Sequence, residues 1–350
     1  MLAVLVVVLV VVLVDVVVGG GLSSSGGMGS IVTPLRARAQ GGRTRGVQPL
    51  VTLAYAVLYV VWGSTYLAMK IAVTSLPPFV AASLRFAFSG LLLLVIGRAI
   101  DKTPVTRRHL LGSAVQGLLL LVLGNAAVMF AMRTVPSGIG ALVVATTPLF
   151  IALFGRDFRR ATWVGIALGL VGVGVLVDPF STDHAAPVGG VLLLVAASAS
   201  WGLGAIVLKV FPVHPSNATA TGLQMVIGAI VQTLLAVVDG ERLDLASVTP
   251  RSWAALVYLA VFGSLLGFSC YGWLLKIEPA TRVATYAYVN PVVAVLLGAW
   301  IGHEPLTGRV VVAAAVIVGA VVIILSAGRS RAATASPPAP SRVVEATRAP

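Results

Sequence analysis

The chain has 350 residues, of which 58% are hydrophobic and only 10% charged, and its mean hydropathy is +1.03. A soluble domain of this length needs a charged surface, so the composition excludes one, whereas lipid accepts an apolar exterior. The net charge of +13 would suggest a nucleic-acid partner in a soluble protein. Here the basic residues sit in short loops between apolar spans, so membrane topology accounts for them and no nucleic-acid partner is expected. The one cysteine, Cys270, falls inside an apolar span, which rules out a disulfide within the chain and a cysteine-rich metal site.

Residues 1–18 are almost pure Val and Leu, interrupted by Asp15 and followed by a Gly/Ser-rich stretch to Ser30. A signal peptide carries positive charge before its apolar core, and this segment has none. Residues 1–30 are therefore expected to lie outside the functional unit, and 1–48 as a whole read as a leader and cytoplasmic N-terminus. A translation start at Met28 and a short eleventh helix are both open. A spanning helix needs about 20 apolar residues, and ten such segments follow. They cover approximately 49–69, 78–98, 110–132, 136–155, 161–178, 187–209, 217–238, 252–275, 280–301 and 306–326. Glycines such as Gly165, Gly169, Gly172 and Gly174 in the fifth suit close helix packing. Pro136 and Pro279 precede the fourth and ninth spans, while Pro148 and Pro291 are expected inside them, where neighbours or a watery cavity must satisfy the freed carbonyls. Residues 327–350, rich in Ala, Pro, Ser and Arg, read as a disordered cytoplasmic tail.

The spans are written twice. Trp62-Gly63 is followed by Lys70 at the same distance as Trp201-Gly202 by Lys209, and at that offset Leu84-Arg85-Phe86 falls on Leu223-Gln224-Met225. Further on, Gly124, Arg133, Pro136 and Pro148 align with Gly267, Lys276, Pro279 and Pro291. This divides the chain into a first unit at 49–178 and a second at 187–326. Tandem five-helix units are a common build of secondary transporters, with a substrate cavity between the halves. With the N-terminus inside, cytoplasmic segments hold eighteen of the 24 Lys and Arg residues, the outer side five, and Arg85 lies within a span. The positive-inside rule then puts both termini in the cytoplasm.

No nucleotide-binding loop, metal-ligand set or catalytic constellation appears, so no cofactor, no metal and no catalytic residue is expected, and the chain reads as no enzyme. The acidic residues after the leader lie at loops, span ends or the tail, so a proton relay in the membrane core is not evident, although Glu278 and Glu304 at span ends leave proton coupling open. Arg85 stands about 10 Å into the second span, where an arginine is costly unless it faces protein or water. It either snorkels to the interface or lines a cavity and attracts a carboxylate. Trp62, Thr65 and Tyr66 share a stretch of the first span, Trp201 repeats the first of them, and Gln224 is the repeat partner of Arg85. Asn125 and Asn290 are amides expected to face the bundle. Tyr286 is a candidate for the cavity wall, and Tyr271 fits an interfacial belt better. Pro148 and Pro291 are candidate gating positions.

The string from Ala54 through Trp62-Gly63-Ser64-Thr65-Tyr66 to Lys70, with Pro77-Pro78 and Leu84-Arg85-Phe86, resembles the opening of the EamA family of the drug/metabolite transporter superfamily. So do Val135-Pro136-Ser137, Thr147-Pro148-Leu149, Val289-Asn290-Pro291 and Gly302-His303-Glu304, and the opening is most similar to the YedA-type exporters. The resemblance covers about residues 50–326. It implies an all-α integral membrane protein of ten transmembrane helices in two inverted five-helix repeats, in a bacterial inner membrane. It further implies alternating access through a central cavity and export of small metabolites, such as amino acids and their derivatives, or of drugs. One departure is that Pro148 to Asp157 is shorter by four residues than Pro291 to Glu304, which breaks the symmetry of the acidic position. The reading is thus a carrier with the lipid bilayer and a small molecule as partners, a monomer or homodimer. A proton-coupled multidrug exporter and a non-transport membrane protein are the alternatives.

Overall fold

The computed structural model describes residues 48–155, 160–177, 187–207, 210–278, 283 and 285–334. The leader, Arg156 and Asp157, Lys209, Pro279 and the tail beyond residue 334 lie outside them. Every regular element among the described residues is a helix. We number them α1 (Pro49–Ala72), α2 (Pro78–Ile100), α3 (Arg107–Ala131), α4 (Ser137–Phe154), α5 (Arg160–Val177), α6 (Val188–Val207), α7 (Asn217–Val238), α8 (Pro250–Leu274), α9 (Tyr286–Trp300) and α10 (Gly308–Thr334). Seven of them, α1–α4 and α6–α8, are long and apolar enough to cross a membrane, while α5, α9 and α10 hold shorter apolar stretches. The last helix runs to Thr334, past the boundary at 326 expected from hydropathy, because its extra turns are polar and leave no apolar signal.

The helices begin where chemistry tells them to. Pro78 and Pro250 occupy first turns, whose N–H groups need no helical partner. Thr106 caps α3 through a reciprocal pair with His109, and Thr249 and Ser216 accept from Ser252 and Thr219 at the starts of α8 and α7. Large apolar side chains such as Leu91, Val95, Leu170, Val238 and Trp300 point outward. Polar ones such as Ser89, Gln116, Ser198, Gln232 and Ser264 are buried. This inside-out distribution is what lipid selects, because helices in hydrocarbon associate through small residues and hydrogen bonds.

Packing follows one pattern. α2 lies along α7, α5 along α10 and α4 against α9; α1 rests on α9 as α6 rests on α4; α3 crosses α7 as α8 crosses α2. Exchanging the first five helices for the second five returns the same pairs. The Trp-Gly signature gains its reason here. A Cβ on Gly63 would sit 2.7 Å from Val293 Cβ, and one on Gly202 would sit 2.8 Å from Phe150 Cβ, so each glycine lets its helix approach its partner.

Three helices change gauge in mid-span. Val57–Trp62 of α1, Gly117–Ala126 of α3 and Leu259–Leu266 of α8 are π-helical. Such widened turns weaken the backbone ladder and gather at functional sites. The fourth helix is not the continuous rod expected around Pro148. It breaks at Ala145–Thr146, and Pro148 stands in the first turn of the second piece, Thr147–Phe154. Pro148 has no N–H to offer the Val144 carbonyl four residues back. The Thr147 hydroxyl bonds that carbonyl instead, at 2.8 Å, and the Thr146 hydroxyl bonds Val143 O at 2.6 Å. Pro291, by contrast, lies inside α9 as expected.

Candidate functional site

The widened turns converge on a cavity of about 80 Å³ among α1, α2, α3, α4, α6, α8 and α9. That is well below the several hundred Å³ usual for small-molecule pockets, so the walls must part to load a cargo. Eight expected site residues line it: Trp62, Thr65, Tyr66, Arg85, Asn125, Trp201, Tyr286 and Asn290, together with Pro291. Gln224 does not. Its amide donates to Gln116 Oε1 at 3.0 Å on the α3–α7 contact, where it stitches two helices. Pro148 is also absent from the lining.

Arg85 does not snorkel. It is 2% exposed, and its Nε donates to Ser264 Oγ at 2.6 Å while Nη1 donates to Asn125 Oδ1 at 3.0 Å. Each partner comes from the π-helical stretch of its own helix, α8 and α3. The guanidinium carbon lies 4.8 Å from the Phe86 ring centroid. Close approach is possible because Gly263 stands beside it, where a Cβ would come within 3.2 Å of Nη2. A guanidinium has five N–H donors, and these two bonds use two of them.

The same cavity has a wall of rings. Trp62 meets Trp201 at 6.3 Å between centroids, Phe268 at 5.4 Å, and Tyr271 and Tyr286 both at 5.2 Å. The two copies of the tryptophan signature therefore touch. Tyr271, expected in an interfacial belt, instead packs inward against Trp62 and Tyr286. The Trp62 indole donates to Gly263 O at 3.1 Å, which fixes the ring. Thr65 returns its hydroxyl to Trp62 O at 2.6 Å. With its nitrogen turned toward α1, the Asn290 amide has the carbonyls of Leu58, Tyr59 and Tyr286 at 3.2 Å each, to share its two N–H groups among them. It ties α9 to the widened turn of α1.

Sequence reasoning missed Ser264 and Phe268, and favoured the belt over the cavity for Tyr271. Ser264 carried a signal, as a lone hydroxyl in the apolar run Leu259–Leu266. Phe268 carried none, because one aromatic among many apolar residues has no pattern of its own.

The family described as EamA-like transporter family matches residues 50–177 and again 188–326. The chain belongs to the EamA-like transporter family. Over 272 residues it is 39% identical to the "Uncharacterized inner membrane transporter YedA" of Escherichia coli (strain K12), covering 76% of this chain and 87% of that protein. Over 279 residues it is 28% identical to a "Probable amino-acid metabolite efflux pump" of Salmonella typhimurium (strain LT2), covering 74% and 90%. A solved crystal structure matches with a TM-score of 0.57 at 21% identity, over 80% of this chain and 99% of that one, which shows the shared fold. This EamA protein is thus a multi-pass membrane transporter and not an enzyme.

At one end of the EamA bundle, two loop carboxylates clip helix N-termini. Glu304, between α9 and α10, accepts from Ser137 N at 2.6 Å and Gly138 N at 3.1 Å. Glu241, between α7 and α8, accepts from Phe79 N at 3.1 Å and Val80 N at 2.9 Å. Both capture the positive end of a helix dipole. Lys70 adds a bond to Val135 O at 3.2 Å, and Gly298 makes room, since a Cβ there would sit 2.5 Å from Glu304 Oε2. Glu304→Ala is expected to lower stability by about 1–2 kcal/mol through loss of these charge-assisted bonds, read as an earlier thermal transition in detergent. An unchanged transition would show that the clip contributes nothing.

Proposed function

We propose that this protein exports small metabolites, amino acids and their derivatives, across a bacterial inner membrane by alternating access. The reading takes all ten helices as spans, arranged as two inverted five-helix repeats about the central cavity, with both termini cytoplasmic. Support comes from the self-exchanging helix packing, the double family match and the excess of Lys and Arg on one set of loops. The observation that carries it is the cavity itself, lined by one buried cation and by aromatic rings. Arg85 holds an anionic group, Trp62, Tyr66, Trp201 and Tyr286 hold the apolar body, and Asn125 positions the guanidinium. The relative named as a probable amino-acid metabolite efflux pump points to the same cargo class.

In this orientation the Glu241 and Glu304 clips lie on the outer face and close it. Pro148 and Pro291 give α4 and α9 their freedom to swing. The Pro148→Ala, Pro291→Ala double variant is expected to transport several-fold more slowly with cargo affinity little changed, and a rate equal to wild type would end the gating role.

The test of the carrier reading is counterflow in proteoliposomes against labelled amino acids, N-acylated derivatives and cationic dyes, with and without a pH gradient. Saturable, protein-dependent counterflow of the metabolites supports it. Dye movement that requires the pH gradient would instead make the protein a proton-coupled drug exporter, and flux without saturation would make it a channel.

A further inference from the structure

We infer that Ser89 of α2 and Gln232 of α7, neither of which lines the cavity, are positioning residues of the cargo site. Each grips a widened turn from outside, so that a side chain one turn further on is held against Arg85. The inference rests on the carrier reading above and adds to it the residues that set the geometry of its cation.

The Arg85 guanidinium is aimed by two side chains, Ser264 Oγ at 2.6 Å and Asn125 Oδ1 at 3.0 Å, and both stand in π-helical stretches. A widened turn has a weaker backbone ladder than an α-turn. Where a residue inside it points therefore depends on what holds the segment from neighbouring helices. In α3, the buried Gln232 amide donates to Leu121 O at 2.9 Å, four residues before Asn125. In α8, the buried Ser89 hydroxyl stands 2.8 Å from Ala260 O, four residues before Ser264. The same hydroxyl lies 2.9 Å from Arg85 O in its own helix, and its single hydrogen serves either carbonyl. Four residues is about one turn, so each gripped carbonyl lies one turn from the side chain that holds the guanidinium.

The two grips are one design used twice. Exchanging the repeats turns α7 into α2 and α3 into α8, and the four-residue step carries over although the donor residues differ. The cavity helices add a second pair. Ser200 of α6 donates to Leu119 O at 2.8 Å, and Trp62 of α1 to Gly263 O at 3.1 Å. Both widened stretches are thus held from two sides. An ordinary staple between helices has no such address. Gln224 joins the same two helices as Gln232 but ends on Gln116, ahead of the widened stretch Gly117–Ala126.

The test compares Gln232→Met with Gln224→Met, the same change on the same helix pair, in proteoliposomes of the full chain. The probes are labelled phenylalanine and N-acetylphenylalanine, followed by saturable counterflow. Gln232→Met should raise the half-saturating concentration roughly fivefold, the affinity equivalent of one hydrogen bond, with the maximal rate little changed. Gln224→Met should leave that concentration as in wild type. In an Asn125→Ala background Gln232→Met should add nothing, because its effect passes through Asn125. Ser89→Ala should behave likewise and add nothing to Ser264→Ala. Hydrogen exchange across Gly117–Ala126, measured without cargo, should speed up in Gln232→Met and not in Gln224→Met. Equal half-saturation in the two methionine variants, or full additivity with Asn125→Ala, overturns the inference. So does a fall in maximal rate alone, which would assign the grips to movement rather than to the site. If wild type carries neither probe, the carrier reading fails for this cargo class while hydrogen exchange still decides the grip: unchanged exchange in Gln232→Met ends it.

Discussion

Replacing Arg85 with leucine is expected to cut transport at low cargo concentration by roughly ten- to a hundredfold while leaving the protein as stable as before, or more so. The two effects have separate causes. A hydrogen bond to a charged group contributes about 1.5–3 kcal/mol, and each 1.4 kcal/mol is tenfold in affinity. Folding sees the opposite balance. The guanidinium is 2% exposed and its bonded partners are neutral. Burying such a charge costs several kcal/mol, and apolar replacements of buried charges are often neutral or stabilising. Ser264 and Asn125 would each lose a partner at about 1 kcal/mol, which offsets part of the gain. Counterflow and thermal unfolding in detergent, run on the same preparation, separate the two. A variant that transports normally removes Arg85 from the cargo site. One that unfolds far earlier makes it a structural residue.

The second large effect is expected where α2 lies along α7, the most extensive helix contact among the described residues. A Cβ on Gly222 would sit 3.0 Å from both Gly90 O and Leu94 N, and one on Gly90 would sit 2.9 Å from Val226 N. These are backbone atoms, so no side chain can swing aside, and the helices must separate along their length. Gly222→Val should therefore destabilise by about 3 kcal/mol, the upper part of the range for overpacking. It should appear as a lower thermal transition and as aggregation on size exclusion in detergent. Gly174→Ala is the control, because nothing lies within 4 Å of a Cβ there. Equal transitions for the two variants would show that the tight crossing relaxes freely.

The contrast between those glycines marks a limit of the sequence. Gly174 and Gly172 look alike in a string of small residues, yet a Cβ on Gly172 would lie 2.5 Å from Ile317 Cγ1 while one on Gly174 meets nothing. Composition places small residues in a span, but only the neighbouring helix decides which of them is needed. The same holds for the site. Arg85 and Asn125 were legible because charged and amide side chains are costly against lipid, and Trp62 because its Trp-Gly context recurs at Trp201-Gly202. Gln224 obeys the same logic and also turns inward, but to Gln116 rather than to the cavity. The rule fixes inward against outward and is silent on which interior neighbour is met.

By itself the sequence determined that this is a helical membrane protein, where most of its helices run to within a few residues, that its halves are related, and which family it belongs to. Those properties are local or compositional: a span is an apolar run matched to bilayer thickness, and a repeat is a recurrence along the chain. The tertiary structure alone decided the rest. The pairing of Arg85 with Ser264 and Asn125, at the π-helical turns of α8 and α3, and the clips formed by Glu241 and Glu304 all join residues from helices distant in sequence. Each depends on which backbone lies opposite. In an apolar solvent that choice is made by close packing and by the demand that every buried polar group find a partner, neither of which is written at a single position.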